Sequence, residues 1–149
     1  MNWIFKQFDE LSLKELYDIL QLRNDVFVVE QECPYLDLDG LKDKSSTHLF
    51  LYQEDTLAAY CRIVPAGISY TEESIGRVVV HKKFRNKQLG KLLMQQAIDF
   101  VKKEWNSEKI RISAQAYLQK FYIDLGFEQV SEIYLEDDIP HMEMLYKEG

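Results

Sequence analysis

The run Val78-Val79-Val80-His81-Lys82-Lys83-Phe84-Arg85-Asn86-Lys87-Gln88-Leu89-Gly90-Lys91 is where this chain's residue types and order point most directly to a ligand. It passes from β-branched residues through a short basic loop into an apolar-periodic segment that begins at Leu89. The first N–H groups of a helix have no partner inside it, and the helix dipole favours negative charge at that end. A basic loop that opens a helix is therefore a ready anion site, and a pyrophosphate suits it. Arg85, Lys87 and Lys91 add positive charge. The plainer reading is a set of solvated basic residues ahead of a helix.

Recognisable elements surround this run. Trp3 to Phe8 reads as a strand with Trp3 and Phe5 on one face. Ser12-Leu13-Lys14-Glu15 fits a capping box, and Leu13, Leu16, Tyr17, Leu20 and Phe27 follow as a helical stripe. The segment from Glu30 to Lys44 breaks pattern and reads as a loop with room for a short helix. Thr47 to Gln53 and Leu57 to Val64 form a hairpin around Glu54-Asp55-Thr56. Ser74 to Val80 is a third β-run. Leu89 to Trp105 is the strongest helix, with Leu89, Leu92, Leu93, Ala97, Phe100, Val101 and Trp105 on one face. Ile110 to Ala114 alternates as a strand. Tyr117 to Leu125 is a helix carrying Leu118, Phe121, Tyr122 and Leu125 together, closed by Gly126. Phe127 to Leu135 and His141 to Tyr146 end the chain as strands. Strands and helices in this order make a mixed α/β sheet with helices on its faces.

Composition narrows the function classes. The chain has 149 residues, 46% of them hydrophobic and 13% aromatic, as expected for one packed domain over residues 1–149. The net charge of −7 argues against a nucleic-acid backbone as partner. It is compatible with a cationic amine, and equally with simple solubility. No apolar run approaches the roughly 18 residues of a membrane span. Cys33 and Cys61 make no disulfide framework, and the start of the chain has no signal-peptide pattern, so a cytoplasmic protein is expected.

The element order and two motifs resemble the GNAT superfamily of N-acetyltransferases. That family's phosphate loop reads Arg/Gln-x-x-Gly-x-Gly/Ala between a strand and a long helix; Arg85-Asn86-Lys87-Gln88-Leu89-Gly90 occupies its place. The aromatic pair of the family's last helix matches Phe121-Tyr122 ahead of Gly126. Phe27-Val28-Val29-Glu30-Gln31-Glu32-Cys33-Pro34-Tyr35, Asp37-Leu38-Asp39-Gly40, His48, Ala114-Gln115-Ala116-Tyr117 and Ile139-Pro140-His141-Met142-Glu143 look like the ElaA-like branch in particular. The resemblance implies a mostly antiparallel sheet flanked by helices and splayed at an acetyl-CoA site. It implies that Val78, Val79 and Val80 hold the pantetheine arm through main-chain bonds. Arg85, Asn86, Lys87, Gln88, Leu89, Gly90 and Lys91 would meet the pyrophosphate, and Gln115 would sit near the cofactor. Asn86 and Gln88 replace the common glycines; Asn tolerates a left-handed backbone better than Gln does.

The implied activity is transfer of acetyl from acetyl-CoA to a primary amine, of a small molecule or a peptide, by direct attack. Tyr122 would be the general acid, since a phenol near pKa ~10 can protonate a thiolate near ~8.5 when held close. The same residue also falls on an apolar stripe. The strand ahead of the loop has no carboxylate where many relatives keep a base. Glu30 and His48 are the base candidates carried forward, with Asp37, Asp39, His141 and Glu143 as candidates near the acceptor. Each has an ordinary alternative as a turn, cap or surface residue. A metal site from Glu30, Cys33, Asp37, Asp39 and His48 fits no zinc template, so no metal is expected. Cys33 and Cys61 lack an activating motif. No Gly-Lys-Ser/Thr follows the loop, which removes a nucleotide P-loop. A non-catalytic acyl-CoA-binding or protein-interaction module on the same fold is the remaining alternative. Exposed aromatic strand edges would allow a homodimer.

Overall fold

The computed structural model describes residues 1–33, 35–85 and 88–147. Strands β1 (Ile4–Gln7), β2 (Thr47–Gln53), β3 (Thr56–Val64) and β4 (Ser74–Val80) form one antiparallel half-sheet in that order. Glu54 and Asp55 join β2 to β3 with φ of 49° and 66°, the positive pair that a tight hairpin of right-handed twist requires. A second half-sheet contains β5 (Lys109–Gln115), β6 (Phe127–Gln129), β7 (Tyr134–Glu136) and β8 (Ile139–Lys147), with β8 antiparallel to the other three. The two half-sheets meet along β4 and β5. One parallel bridge joins them, at Glu73 and Ile110, with the Arg111 N–H donating to Glu73 O at 2.9 Å. No strand pairs with β4 on that side past the bridge among the described residues.

The helices follow from local chemistry. In α1 (Leu13–Arg23) the Ser12 hydroxyl accepts the Glu15 N–H at 3.0 Å and the Glu15 carboxylate accepts the Ser12 N–H at 2.8 Å. Such a reciprocal cap is worth ~1 kcal/mol. The helix runs on as a π-helical segment over Asn24–Glu30. A short α2 (Lys42–Ser45) starts where Asp39 accepts the N–H groups of Leu41 and Lys42. The long α3 (Leu89–Glu104) buries Leu89, Leu93, Met94, Ala97, Ile98 and Val101 against both half-sheets. Its partners include Leu49, Leu51, Cys61 and Ile63 on one side and Ile110, Ile112, Met142 and Met144 on the other. On the opposite face α1 packs Ile19 and Leu22 against Phe50, Tyr60 and Val79. A 3-10 turn over Ala116–Leu118 leads into α4 (Gln119–Asp124). Gly126 closes it at φ 105°, where a Cβ would sit 3.1 Å from the Tyr146 ring.

Two expectations are corrected. The stripe expected on α1 is turned: Leu13 and Tyr17 are 87% and 72% exposed, and the buried face is Ile19, Leu22 and Arg23. Apolar periodicity treats an arginine as surface, whereas Arg23 is buried and ion-paired. The strand expected over Phe127–Leu135 is two strands. Ser131 breaks it, because its hydroxyl takes the Glu143 N–H of β8 at 2.8 Å and so substitutes a side chain for a ladder rung.

Candidate functional site

Where β4 and β5 part, a cleft of about 390 Å³ opens, a size suited to a small-molecule ligand. Val78, Val79 and Val80 line one wall. The strand is irregular there: its register with β3 shifts between Tyr60 and Arg62, and Arg77 takes φ 50°. The edge of β4 that faces the cleft carries backbone groups with no strand beside them. At the end of this wall Gln88 caps α3 with φ 56° and ψ 21°, a left-handed conformation that glycine adopts freely and glutamine at a cost. Among the described residues no side chain caps the start of this helix. The N–H groups of Leu89, Gly90 and Lys91 in its first turn have no partner within the helix. Gln88, Leu89, Gly90 and Lys91 line a neighbouring hollow with Val80, Arg85 and Phe121. Asn86 and Lys87 lie outside the described residues.

Arg85 is already engaged. Its guanidinium grips both Glu30 carboxylate oxygens at 2.7 and 3.0 Å, and its Nε donates to Val80 O at 3.1 Å. The Arg85 bond holds the Glu30 carboxyl below its usual range. An expected phosphate contact and an expected base are therefore one ion pair at the rim of the cleft, which both residues line. Gln115 lines the cleft as well, and its amide donates to the Gln31 carbonyl at 3.4 Å.

Tyr122 stands in the cleft wall with only 6% of its surface exposed. The rings of Phe121 and Phe127 meet it edge-on at 5.1 and 5.7 Å. Burial raises its phenol well above the usual tyrosine value, so it keeps its proton at neutral pH. The protonated hydroxyl is thus available as a hydrogen-bond donor.

The other wall is made by the β7–β8 hairpin, β5 and the segment after α1. Glu136, Asp137, Ile139 and His141 line it, with Ser113, Cys33, Tyr35 and Arg77. Cys33 Sγ donates to Asp137 O at 3.3 Å and ties the segment to the hairpin turn. The Arg77 guanidinium donates to the Asp37 carboxylate at 2.8 Å and lies 5.4 Å over the Tyr35 ring. Sequence reasoning missed Arg77, Glu136 and Asp137. Glu136-Asp137-Asp138 between two β-runs is a turn signal that marks a hairpin tip; nothing in the sequence marks Arg77 as the left-handed residue of a bulge.

Four expected site residues among those described line neither the cleft nor the hollow beside it, and each has a physical reason. His48 is 1% exposed; its Nε2 donates to Asp43 O at 2.8 Å and its Nδ1 accepts the Tyr60 hydroxyl at 2.6 Å. Burial lowers its pKa, and its lone pair is used in the core, so it has none to offer a substrate. Asp37 is paired with Arg23 and Arg77 at 2.9 and 2.8 Å. Asp39 caps α2 and meets Arg62 at 3.1 Å. Glu143 meets Arg111 at 3.0 Å. Asp43 completes the buried network, bonded to Arg23 at 2.8 Å and Arg62 at 3.0 Å. Among the described residues no group of His, Cys, Asp and Glu could hold a metal ion, and no helix is long and apolar enough to cross a membrane.

Two antiparallel half-sheets parting beside an uncapped helix start define a class. The chain belongs to the GNAT acetyltransferase family: residues 22–148 match that family's acetyltransferase domain. Within it, the chain is similar to protein ElaA of Escherichia coli, 39% identical over 145 residues that cover 97% of this chain and 95% of ElaA. The crystal structure of ElaA matches with a TM-score of 0.91 at 38% identity, over 98% of this chain and 99% of that one. A crystal structure of an acyl-CoA N-acyltransferase from Pseudomonas aeruginosa also matches with a TM-score of 0.91, at 42% identity over 98% and 99% of the two chains. A UPF0039 protein of Schizosaccharomyces pombe is 42% identical over 146 residues, 97% of this chain and 95% of its own.

Proposed function

We propose that this protein transfers an acetyl group from acetyl-CoA to a primary amine of a small molecule or peptide, by direct attack and without a metal. The observation that carries the reading is the parting of β4 from β5 beside the uncapped start of α3. That arrangement offers an extended row of backbone groups at Val78 to Val80 and, at its end, free N–H donors with Lys91 in the same helical turn. An amide-rich arm ending in a pyrophosphate has the complementary donor set. The fit is one of chemistry: extended backbone for amides, helix start for anion. Family membership and the P. aeruginosa acyltransferase of the same fold support it. Acetyl-CoA supplies an activated thioester carbonyl.

The chain's own residues do the rest. Val78 to Val80 fix the arm, so the acyl carbon is presented at the point where the strands separate. Tyr122 keeps its proton until a thiolate forms beside it, then donates. The acceptor enters from the wall of Glu136, Asp137 and His141, whose carboxylates attract a cation. The chain works as one domain.

Calorimetric titration with acetyl-CoA and with Tyr122→Phe tests the reading. Micromolar binding is expected for both proteins, with amine-dependent thiol release slowed about 100-fold in Tyr122→Phe. Binding without thiol release from any amine would favour the non-catalytic acyl-CoA module. No binding at millimolar ligand would end the acetyl-CoA reading.

A further inference from the structure

We infer that His141 is the catalytic base, accepting the proton of the acceptor ammonium at Nε2, with Glu136 holding the imidazolium so formed. The inference rests on the acetyltransferase reading above and names a residue for the step it leaves unassigned.

The chain has three histidines. His48 spends its lone pair on the Tyr60 hydroxyl at 2.6 Å, in the core. His81 accepts the Lys83 N–H at 3.1 Å through Nδ1 and caps a turn. His141 alone lines the cleft. Its Nδ1 lies 2.7 Å from Ile139 O. A carbonyl oxygen can only accept, so the proton sits on Nδ1 and the lone pair of the neutral ring is on Nε2. Nε2 is 3.5 Å from Glu136 Oε2, an oxygen that has no proton to give, so the lone pair stays free, and the carboxylate attracts the ring once Nε2 has taken a proton. The ring stacks on Tyr134 at 6.3 Å, which fixes its plane. The base, its tautomer and its orientation are thus set by three separate contacts.

The cleft carboxylates are poorer acceptors. Glu30 is gripped by Arg85. Glu136 already accepts the Ser113 hydroxyl at 3.2 Å and is 51% exposed in its side chain, and Asp137 is exposed at the turn. An imidazole titrates nearest neutral pH among side chains, which is the condition for an efficient base there. Glu136 and Tyr134 from β7 meet His141; Asp137 from the turn, Cys33 and Tyr35 from the segment after α1 and Arg77 from β4 line the same cleft, and Glu143 lies two residues along its own strand. Tyr70 lies beyond, near Ser113 and Tyr134.

Geometry divides the two proton transfers between the faces of the split sheet. Tyr122 belongs to the core that α3 covers, together with Met142 and Met144 of β8. His141 alternates with Met142, so it projects from the other face, as do Ser113 and Gln115 of β5. Both reach one cleft because the strands part there. The balance follows. His141 Nε2 takes one ammonium proton and releases it to solvent. The nitrogen lone pair forms the C–N bond as the C–S bond breaks and its electron pair goes to sulfur. The nitrogen's second departing proton ends on sulfur by way of Tyr122, and one proton remains on the amide.

Three readouts test this on the full-length protein. Long-range proton–nitrogen NMR correlation of the histidine rings should show His141 with hydrogen on Nδ1; an Nε2–H form would overturn the proposal. Thiol release from acetyl-CoA is then followed against pH with a diamine, a lysyl peptide and a peptide bearing a free N-terminus. His141→Gln should lower kcat about 100-fold and erase the acid limb of the pH profile, with acetyl-CoA affinity within twofold. Glu136→Gln should cost less, about threefold to tenfold in kcat. A loss under about fivefold in His141→Gln with the acid limb intact would overturn the proposal. Failure of the wild type to bind acetyl-CoA would defeat the acetyltransferase reading instead. If no amine is turned over, the ring tautomer decides for or against His141.

Discussion

Two acidic stretches flank the cleft, and they do opposite things. Asp37, Asp39 and Asp43 face inward and are matched by Arg23, Arg62 and Arg77 at 2.8 to 3.1 Å. Glu136, Asp137 and Asp138 sit exposed at a hairpin tip, and among the described residues Glu136 meets His141 at 3.5 Å. The first set builds: it fastens the segment after α1 to β3 and β4. The second set remains available to a ligand. Formal charge in a sequence therefore says little about charge at a site, because pairing removes half of it from view. The carboxylates of Asp37, Asp39 and Asp43 are spent on arginines, while Glu136 and Asp137 of the turn line the cleft.

Stability separates the two sets most sharply. Asp43→Ala leaves Arg23 and Arg62 without their shared carboxylate and should cost ~3 kcal/mol in denaturant unfolding. Asp137→Asn should cost less than about 0.5 kcal/mol; equal costs would break the distinction. Next comes pH. Asp39 and Asp43 are held below their ordinary range, against burial, by backbone and arginine bonds. Their contribution is thus full above about pH 4 and is lost as pH falls through the folded values. His48 is also lowered, by burial, so the folded state resists a proton that the unfolded chain accepts below about 6.5. Unfolding free energy should accordingly fall in two stages on acidification. His48→Gln should remove the earlier one, which sets in as pH falls below about 6.5, and leave the later. A small effect is also expected of Gln88→Gly at the start of α3. Relief of its left-handed strain is offset by glycine's freedom in the unfolded chain, so unfolding should shift by less than about 1 kcal/mol. A larger gain would mean that glutamine strains this loop more than its backbone angles suggest.

Strands β2 and β3 were readable as continuous apolar runs, since both of their faces are buried, and the long helix α3 because it buries one regular face. The capping box of α1 was readable as chemistry, since Ser12 and Glu15 satisfy each other's backbone locally. The face of α1 was not, because Arg23 lies on it and its partners are 14 and 20 residues away. The break in Phe127–Leu135 was hidden for a similar reason: Ser131 acts through Glu143, which only the fold brings near. In the candidate site, Val78 to Val80, Gly90, Gln115 and Tyr122 were named from sequence and line one cleft. His48 and His141 looked alike as isolated histidines. What distinguishes them is the partner of one nitrogen, Tyr60 in the first and Ile139 O in the second, and partners are a property of the folded chain.

The lone bridge at Glu73 has a mechanical meaning. Among the described residues, backbone bonding between the half-sheets is confined to that point, reinforced by the Ser107 hydroxyl on Glu73 at 2.8 Å and the Arg111 guanidinium on Glu72 at 3.0 Å. Val80 lies seven residues along the strand, ~23 Å away at the usual rise, so each degree of rotation there displaces the far end by ~0.4 Å. The joint is a pivot at one end of a lever, and the side chains on either side of the gap are carried at its tip. Side-chain packing under α3 sets how stiff that lever is. Mutations near Glu73, far from any reacting atom, would then tune the width of the jaws.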